Sequence, residues 1–255
     1  MLLAVDVGNT NLTIGLFDGS RRLAAWRLKT DPGQTVDGWG ALFHNLVSLA
    51  RLDLGTVRGF VFSSVVPQLD ASISGMAKRY LGLEPFKVTA ATRTGLGLRV
   101  DKPEEVGADR IVNSVAAAER YGCPCIAVDF GTAITFDAIS KDREYLGGII
   151  CPGIQVSSQA LVRRTAQLPQ IDLRRPETVI GTNTVGSLQS GLYFGMLGML
   201  DGILDKMLDA LGRDTAVVAT GGQSEVLAPA SRYIQSVDRG LTLEGLRLVW
   251  NLNRG

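Results

Sequence analysis

The sequence predicts an α/β protein built from two related units, and three observations lead to this fold class. A stretch that runs from an apolar strand into Asp-x-Gly and a small residue occurs twice, at Leu3–Thr10 and Ile126–Ala133. Each copy continues into a second apolar run, which predicts a β-hairpin, and strand and helix patterns alternate after each hairpin. With 45% hydrophobic residues, the 255-residue chain can bury the cores of two domains of about 120 residues. We therefore predict domains at 1–115 and 116–255.

The apolar spacing of the first half predicts a β-meander followed by alternating helices and strands. A helix begins after Thr35, and Pro67 opens the way to a second helix that runs toward Leu81. The expected strands lie near 2–7, 11–17 and 22–28, at Phe60–Phe62 ending in Ser63-Ser64, and at Phe86–Val88.

The second half repeats this order. The expected elements are a helix over 108–121, the hairpin 125–139, strands near 145–151 and 216–219, and a closing helix from Leu241. An amphipathic helix is also predicted from Gly191 to Leu211, with glycines every three or four residues. Because a glycine costs a helix about 1 kcal/mol relative to Ala, this spacing predicts close packing, either within the chain or against a second subunit.

Charge and composition disfavour several classes of partner. The 26 basic and 25 acidic residues leave a formal net charge of +1 without blocks of like charge, so we expect no nucleic-acid or membrane partner. The N-terminus starts directly with a strand pattern, and no stretch approaches ~18 uninterrupted apolar residues, so we expect a cytoplasmic protein. The three cysteines form an odd count, and Cys123 and Cys125 are expected on opposite faces of a strand, so a disulfide framework is not expected.

Several familiar catalytic motifs are absent from the sequence. It has no Gly-Lys dipeptide and no G-x-G-x-x-G, which removes P-loop and Rossmann sites. It also has no G-x-S-x-G elbow, and its sole histidine, His44, falls in an amphipathic helix, so a Ser-His-Asp hydrolase is disfavoured. A four-ligand zinc site would need His44 and all three cysteines, or help from carboxylates.

The two Asp-x-Gly hairpins suit a polyphosphate. Glycine lets the backbone turn tightly and brings N–H groups close to an anion, the small polar residues add donors, and the aspartate can hold a metal ion. A single copy is more often an ordinary turn between strands. Because the hairpin recurs in the same context, the pair predicts a duplicated unit with a nucleotide between its halves.

The segment Gly107–Arg110 opens a predicted helix and suits an anionic substrate. The N–H groups and dipole at a helix N-terminus favour an anion, and Arg110 can form paired hydrogen bonds with a carboxylate. Asp109 would then lie beside the bound molecule. The alternative is a plain helix start at which Asp109 and Arg110 are solvated.

These motifs resemble those of the type III pantothenate kinases, a family of the acetate and sugar kinase, Hsp70 and actin superfamily, and the resemblance covers nearly the whole chain. It implies two ribonuclease-H-like domains with mixed central sheets flanked by helices. The motifs, in the family's order, are Asp6–Thr10 with Gly15, Glu105–Arg110, Asp129–Ala133, Gly147–Gly153, Asn183-Thr184 and Thr220–Gly222. Val100 departs from the family pattern, in which a Tyr is frequent at this position, and Lys102 stands where Asn is usual.

The resemblance implies transfer of the γ-phosphoryl group of ATP to the primary hydroxyl of pantothenate, the first step toward coenzyme A. It makes Asp109 the general base, Asp6 a holder of Mg²⁺ directly or through water, and Asp129 the site of a monovalent cation, K⁺ or NH₄⁺. The implied nucleotide contacts are Asp6, Gly8, Asn9, Thr10, Asn11, Thr13, Thr132, Gly221 and Gly222. The implied pantothenate contacts are Val100, Gly107, Ala108, Asp109, Arg110 and Thr184, in a pocket completed across a homodimer interface.

Three other functions stay open at this point: a non-catalytic regulatory or accessory relative, another small-molecule kinase of the superfamily, and a chaperone or filament-forming ATPase. The presence of Asp6, Asp109 and Asp129 disfavours the non-catalytic relative, since such a protein has no need to keep them. The short chain and the Gly107–Arg110 run disfavour the second, and the lack of room for a client-binding domain disfavours the third.

Overall fold

The computed structural model describes residues 1–165 and 168–254, which form two compact units. The first unit is Met1–Leu96, Asp101–Ala116 and Gly240–Gly255, and the second is Gly97–Val100 and Ala117–Arg239. The chain passes from the first unit to the second after Ala116, and its last helix returns to the first. The domain limits 1–115 and 116–255 stay a prediction, and positions 166, 167 and 255 lie outside the described residues.

The elements follow the predicted order closely. The strands are β1 (Leu2–Val7), β2 (Asn11–Asp18), β3 (Arg21–Lys29), β4 (Gly59–Ser64), β5 (Phe86–Lys87), β6 (Gly97–Leu98), β7 (Cys125–Phe130), β8 (Ala133–Ile139), β9 (Glu144–Pro152), β10 (Ala216–Thr220) and β11 (Ser236–Val237). The α-helices are α1 (Val36–Leu49), α2 (Pro67–Met76), α3 (Ala108–Tyr121), α4 (Ile154–Arg164), α5 (Thr184–Leu211), α6 (Ser224–Leu227) and α7 (Leu241–Arg254). Short 3₁₀ helices span Leu54–Thr56, Pro103–Glu105 and Ala228–Ala230, and a π-helical turn spans Ala77–Leu81.

The two sheets share one topology. The first has the order β3-β2-β1-β4-β5, in which β2 is antiparallel to β1 and β3, whereas β4 is parallel to β1 and β5. In the second, β9-β8-β7-β10-β11 repeats the same order and the same directions. A further strand, β6, pairs with β9. The prediction of an α/β fold with two mixed sheets is confirmed.

The first sheet is covered on both faces. One face of β1, with Leu3 and Val5, packs against α1 and α2, and the other, with Ala4, packs against α3 and α7. Burial on both sides explains why β1 is a continuous apolar run rather than an alternating one. A Cβ atom placed on Gly245 of α7 would lie 1.9 Å from the Val112 carbonyl oxygen of α3. This backbone contact, with the apolar face of α7, holds the last helix in the first unit.

The long helix α5 differs from its prediction in two respects. It begins at Thr184, where the Asn183 side chain caps it by accepting a hydrogen bond from the Gly186 N–H at 2.8 Å. Its glycines do not pack against any other described part of the chain, because a Cβ atom on any of the four would meet nothing there within 4 Å. All four are exposed: Gly191, Gly195, Gly198 and Gly202. The prediction that these glycines pack closely within the chain is therefore wrong. The core-facing side of the helix is instead the opposite one, which carries Tyr193, Leu200 and Leu204.

Within the described ranges, no helix combines the length and apolar character that a bilayer crossing requires.

Candidate active site

The first Asp-x-Gly hairpin joins β1 to β2. The Gly8 N–H donates to the Asn11 carbonyl oxygen at 3.1 Å, which closes the turn. Asn9 and Thr10 are exposed at its tip. Exposed polar residues at the tip of a tight turn suit a phosphate.

Asp6 lies at the carboxyl end of β1, next to two hydroxyl residues. It pairs with Thr13 on β2 and with Ser63 on β4, and cross-strand partners share a face of the sheet. The Ser63 hydroxyl donates to Asp6 Oδ1 at 2.7 Å, which orients the carboxylate. Ligands commonly bind at the carboxyl ends of parallel strands in such sheets, and here β1 and β4 are parallel neighbours.

The segment Gly107–Arg110 reaches the same end of the first sheet. A Cβ atom on Gly107 would lie 3.7 Å from Val65, directly after β4, and the Val65 N–H donates to the Val7 carbonyl oxygen at 3.0 Å. The first unit therefore brings the Asp6 hairpin and the Asp109 segment to the same end of the first sheet.

Asp109 is held at the start of α3. Its Oδ1 accepts the Arg110 N–H at 2.8 Å and would lie 2.4 Å from a Cβ atom on Gly107. A side chain at position 107 would force the carboxylate to move from this position. Burial raises the pKa of Asp109 above its ordinary value, and the Arg110 N–H and charge lower it by less. A carboxylate with a raised pKa is a better proton acceptor, which suits a general base.

The second hairpin joins β7 to β8 and repeats the first. The Gly131 N–H donates to the Ala133 carbonyl oxygen at 3.0 Å, as Gly8 does in the first hairpin. Thr132 is exposed at the tip, and its carbonyl oxygen accepts the Gly153 N–H at 3.1 Å, which ties the hairpin to the start of α4.

Asp129 lies against the loop that follows β10. Gly221 has φ +91, and a Cβ atom there would lie 2.4 Å from Asp129 Oδ1 and 2.6 Å from the Phe130 nitrogen. Both the positive φ and this close approach require glycine. The second unit thus brings Asp129 and Gly221 together, and the exposed Gly222 follows.

The other two predicted pantothenate contacts belong to the second unit. Thr184 is the first residue of α5 and is exposed. Val100 is half-buried, and its Cγ1 would lie 3.7 Å from a Cβ atom on Gly147 of β9.

Two residues that the sequence reasoning missed support the first hairpin. Ser63 orients Asp6, and Thr30 donates its hydroxyl to the Gly8 carbonyl oxygen at 2.6 Å. Ser63 could have been found, because it ends the buried run Phe60–Phe62 on the strand expected beside β1. Thr30 carried no such signal, since only the pairing of β3 brings it to the turn.

Comparison with known proteins identifies the family of the chain. A family model described as type III pantothenate kinase matches residues 2–206. A type III pantothenate kinase from Koribacter versatilis is 49% identical, over 100% of this chain and 96% of its own, and one from Solibacter usitatus is 51% identical, over 99% and 97%. The fold resembles that of a Sinorhizobium meliloti protein described as a 2-dehydro-3-deoxygalactonokinase, with a TM-score of 0.59, 12% identity, and 99% and 97% of the two chains covered. The chain belongs to the type III pantothenate kinase family.

Proposed function

We propose that the protein phosphorylates the primary hydroxyl of pantothenate with ATP, as the first step of coenzyme A biosynthesis, and that Asp109 is the general base. The family gives the reaction. The observation that supports the role of Asp109 is its position: a partly buried carboxylate with a raised pKa, at a helix N-terminus beside the Asp6 hairpin.

The base accepts the hydroxyl proton as the oxygen attacks the γ-phosphorus and the bond from that phosphorus to the bridging oxygen of ADP breaks. Phosphoryl transfer depends mainly on positioning and charge neutralisation, so the carboxylate must be fixed. The Arg110 N–H fixes one oxygen of Asp109, which leaves the other for the substrate. The N–H groups of Gly107 and Ala108 and the Arg110 guanidinium suit the pantothenate carboxylate and amide.

In this proposal each hairpin tip offers donors to a phosphate of ATP. The exposed Asn9 and Thr10 of the first hairpin and Thr132 of the second offer donors. Gly8, Asn11 and Thr13 complete the first contact set, and the loop at Gly221-Gly222 suits the adenosine.

The residues present fit the two cations that the family implies. Within the described residues, no group of three or more His, Cys, Asp or Glu side chains forms an all-protein metal cage. Mg²⁺ usually takes one or two carboxylates and completes its shell with water and phosphate, so Asp6 with its Ser63 contact fits. Asp129 is a hard oxygen donor of the type that K⁺ prefers. When bound, the cations supply positive charge against the phosphates.

A homodimer is part of the proposal. Two of the exposed glycines of α5, Gly191 and Gly195, line a groove of about 480 Å³ together with Val179, Ile180 and Phe194. Val179 and Ile180 are 66% and 81% exposed. Apolar side chains beside a smooth helix face suit a partner helix at close range, and Thr184 at the start of α5 would then lie near the partner. ATP is the phosphoryl donor, so we propose a cytoplasmic location.

The test of dimerisation is a Gly198→Leu variant measured by sedimentation equilibrium. We expect a dimeric wild type, a monomeric variant with unchanged helical circular dichroism, and a dimeric Ala210→Leu control, since Ala210 is exposed on another side of α5. A wild-type mass that stays monomeric at every concentration would refute the dimer.

The test of the reaction is incubation of the pure protein with ATP, Mg²⁺, K⁺ and a panel of alcohols and sugars that includes pantothenate. We expect phosphate on pantothenate alone, and none on an analogue in which hydrogen replaces the primary hydroxyl. Transfer to a sugar instead would identify another kinase of the superfamily. Replacement of K⁺ by Na⁺ should reduce the rate, and an undiminished rate would contradict the role of Asp129.

A further inference from the structure

We infer that Arg27 and Lys29 of β3 belong to the phosphate-binding apparatus, with Arg27 as the principal positive charge that the protein supplies to the ATP triphosphate at the first hairpin. This inference rests on the proposed function and adds residues that lie outside the family's phosphate motif as read from the sequence.

The charge of the first hairpin creates the need for such residues. Residues 6–13 contain one carboxylate, Asp6, and no lysine or arginine. A triphosphate bound there would meet neutral donors and one negative side chain. Phosphoryl transfer requires neutralisation of the charge on the phosphates, and cations usually come from Lys or Arg as well as Mg²⁺. The positive side chains must therefore come from another segment.

The register of the sheet brings two cations to this place. On β3, Arg27 pairs with Thr13 and Lys29 pairs with Asn11, the two β2 residues expected to contact nucleotide. Thr13 in turn pairs with Asp6, so these three form one row across β1, β2 and β3. Partners in such a row present their side chains on the same face of the sheet. At about 4.8 Å per strand, the Arg27 backbone lies about 10 Å from Asp6, a distance suited to a long side chain that approaches a phosphate from the side.

The end of β3 is fastened to the hairpin itself. Thr30 is 6% exposed, and its N–H donates to the Thr10 carbonyl oxygen at 3.0 Å while its hydroxyl donates to the Gly8 carbonyl oxygen at 2.6 Å. These two bonds fix the strand end that carries Lys29 and Arg27 relative to the turn. The backbone that carries the two cations therefore keeps a constant position beside the turn.

Neither cation is used elsewhere. Across residues 1–165 and 168–254, Arg27 and Lys29 form no ion pair or side-chain hydrogen bond, and both are exposed. Several other arginines do have carboxylate partners, for example Arg247 with Glu244 at 2.7 Å.

The second unit serves as an internal comparison. There, Asp129 pairs with Thr135, which matches Asp6 and Thr13, but the residue that pairs with Thr135 on β9 is Ile150. The position that matches Lys29 is Pro152, the partner of Ala133. The shared topology therefore does not need cations at these places, and their presence on β3 alone points to the ligand of the first hairpin.

The experiment measures the affinity of Arg27→Gln for ATP and for adenosine by calorimetry, beside turnover with pantothenate. We expect the affinity for ATP to fall about 10- to 100-fold, the loss that follows from one charge-assisted hydrogen bond, while the affinity for adenosine stays constant. Lys29→Gln should have a smaller effect in the same direction, and Arg27→Lys should recover much of the loss. Arg22→Gln is the matched control, since Arg22 is an exposed arginine that pairs with Phe17 on the same face, roughly 16 Å along β3.

The outcomes separate this inference from the proposed function. If the wild type phosphorylates pantothenate and Arg27→Gln binds ATP and turns over like Arg22→Gln, Arg27 is a solvated charge of an edge strand and the inference is wrong. If the wild type binds ATP in an Arg27-dependent way but phosphorylates nothing, the inference stands and the proposed function fails. Equal losses for ATP and adenosine would indicate a folding defect and would also overturn the inference.

Discussion

Replacement of Asp109 by Asn separates catalysis from stability. The Asn side chain keeps an oxygen that can accept the Arg110 N–H, so the start of α3 should be preserved. It cannot accept the hydroxyl proton, and loss of a general base typically costs about 10²- to 10⁴-fold in rate. We expect kcat to fall by that amount and the affinity for ATP to remain unchanged.

The stability of the same variant should change in the opposite sense. Burial raises the pKa of Asp109 in the folded protein, so the folded state binds this proton more tightly than the unfolded state does. Ionisation therefore costs stability, a cost absent below the ordinary pKa of Asp and complete above the raised pKa. The free energy of unfolding of Asp109→Asn should therefore equal that of the wild type below the ordinary pKa of Asp, and it should exceed that of the wild type at neutral pH.

Two independent measurements should then agree. The acid limb of the kcat/KM profile reports the pKa of Asp109 in the free enzyme, and each unit above the ordinary value corresponds to about 1.4 kcal/mol of stability gained by the variant at neutral pH. Urea unfolding from pH 3 to 8 measures that gain, with Asp18→Asn, an exposed aspartate, as control. Near-normal turnover of the variant would refute the reasoning. So would a free energy of unfolding that falls relative to that of the wild type as the pH rises.

Three further predictions concern packing and reactivity. Gly221→Ala should cost roughly 1–3 kcal/mol of stability, because φ is +91 and the new Cβ would meet Asp129. It should also weaken the dependence of the rate on K⁺. An unchanged response to K⁺ would argue against a cation site at Asp129. Gly245→Ala should lower Tm more strongly, since its Cβ would lie 1.9 Å from the Val112 carbonyl oxygen, and a wild-type Tm would show that α7 can shift freely. Cys125 should resist iodoacetamide at pH 8 in the folded protein, because burial and the neighbouring Cys123 raise its thiol pKa to about 12; rapid labelling found by mass spectrometry would contradict this.

The helix α5 illustrates where sequence reasoning stopped. The spacing of its apolar residues predicted an amphipathic helix, and the structure has one. The same spacing could not say whether the glycines face a neighbour in the same chain, because hydrophobic periodicity reports which side is buried and not what covers the other. Only the coordinates show that a Cβ atom on Gly198 would meet nothing within 4 Å.

Local patterns of period two and 3.6 and short motifs were enough to predict the two Asp-x-Gly hairpins, the order of strands and helices, and the three aspartates proposed to carry the chemistry. Tertiary structure decided what depends on pairing between distant segments. The hydrogen bond from Ser63 to Asp6, the attachment of Thr30 to the hairpin, and the row that sets Arg27 beside Thr13 all follow from strand register. Register is fixed by the burial of whole strands, so no single residue of the sequence reveals it.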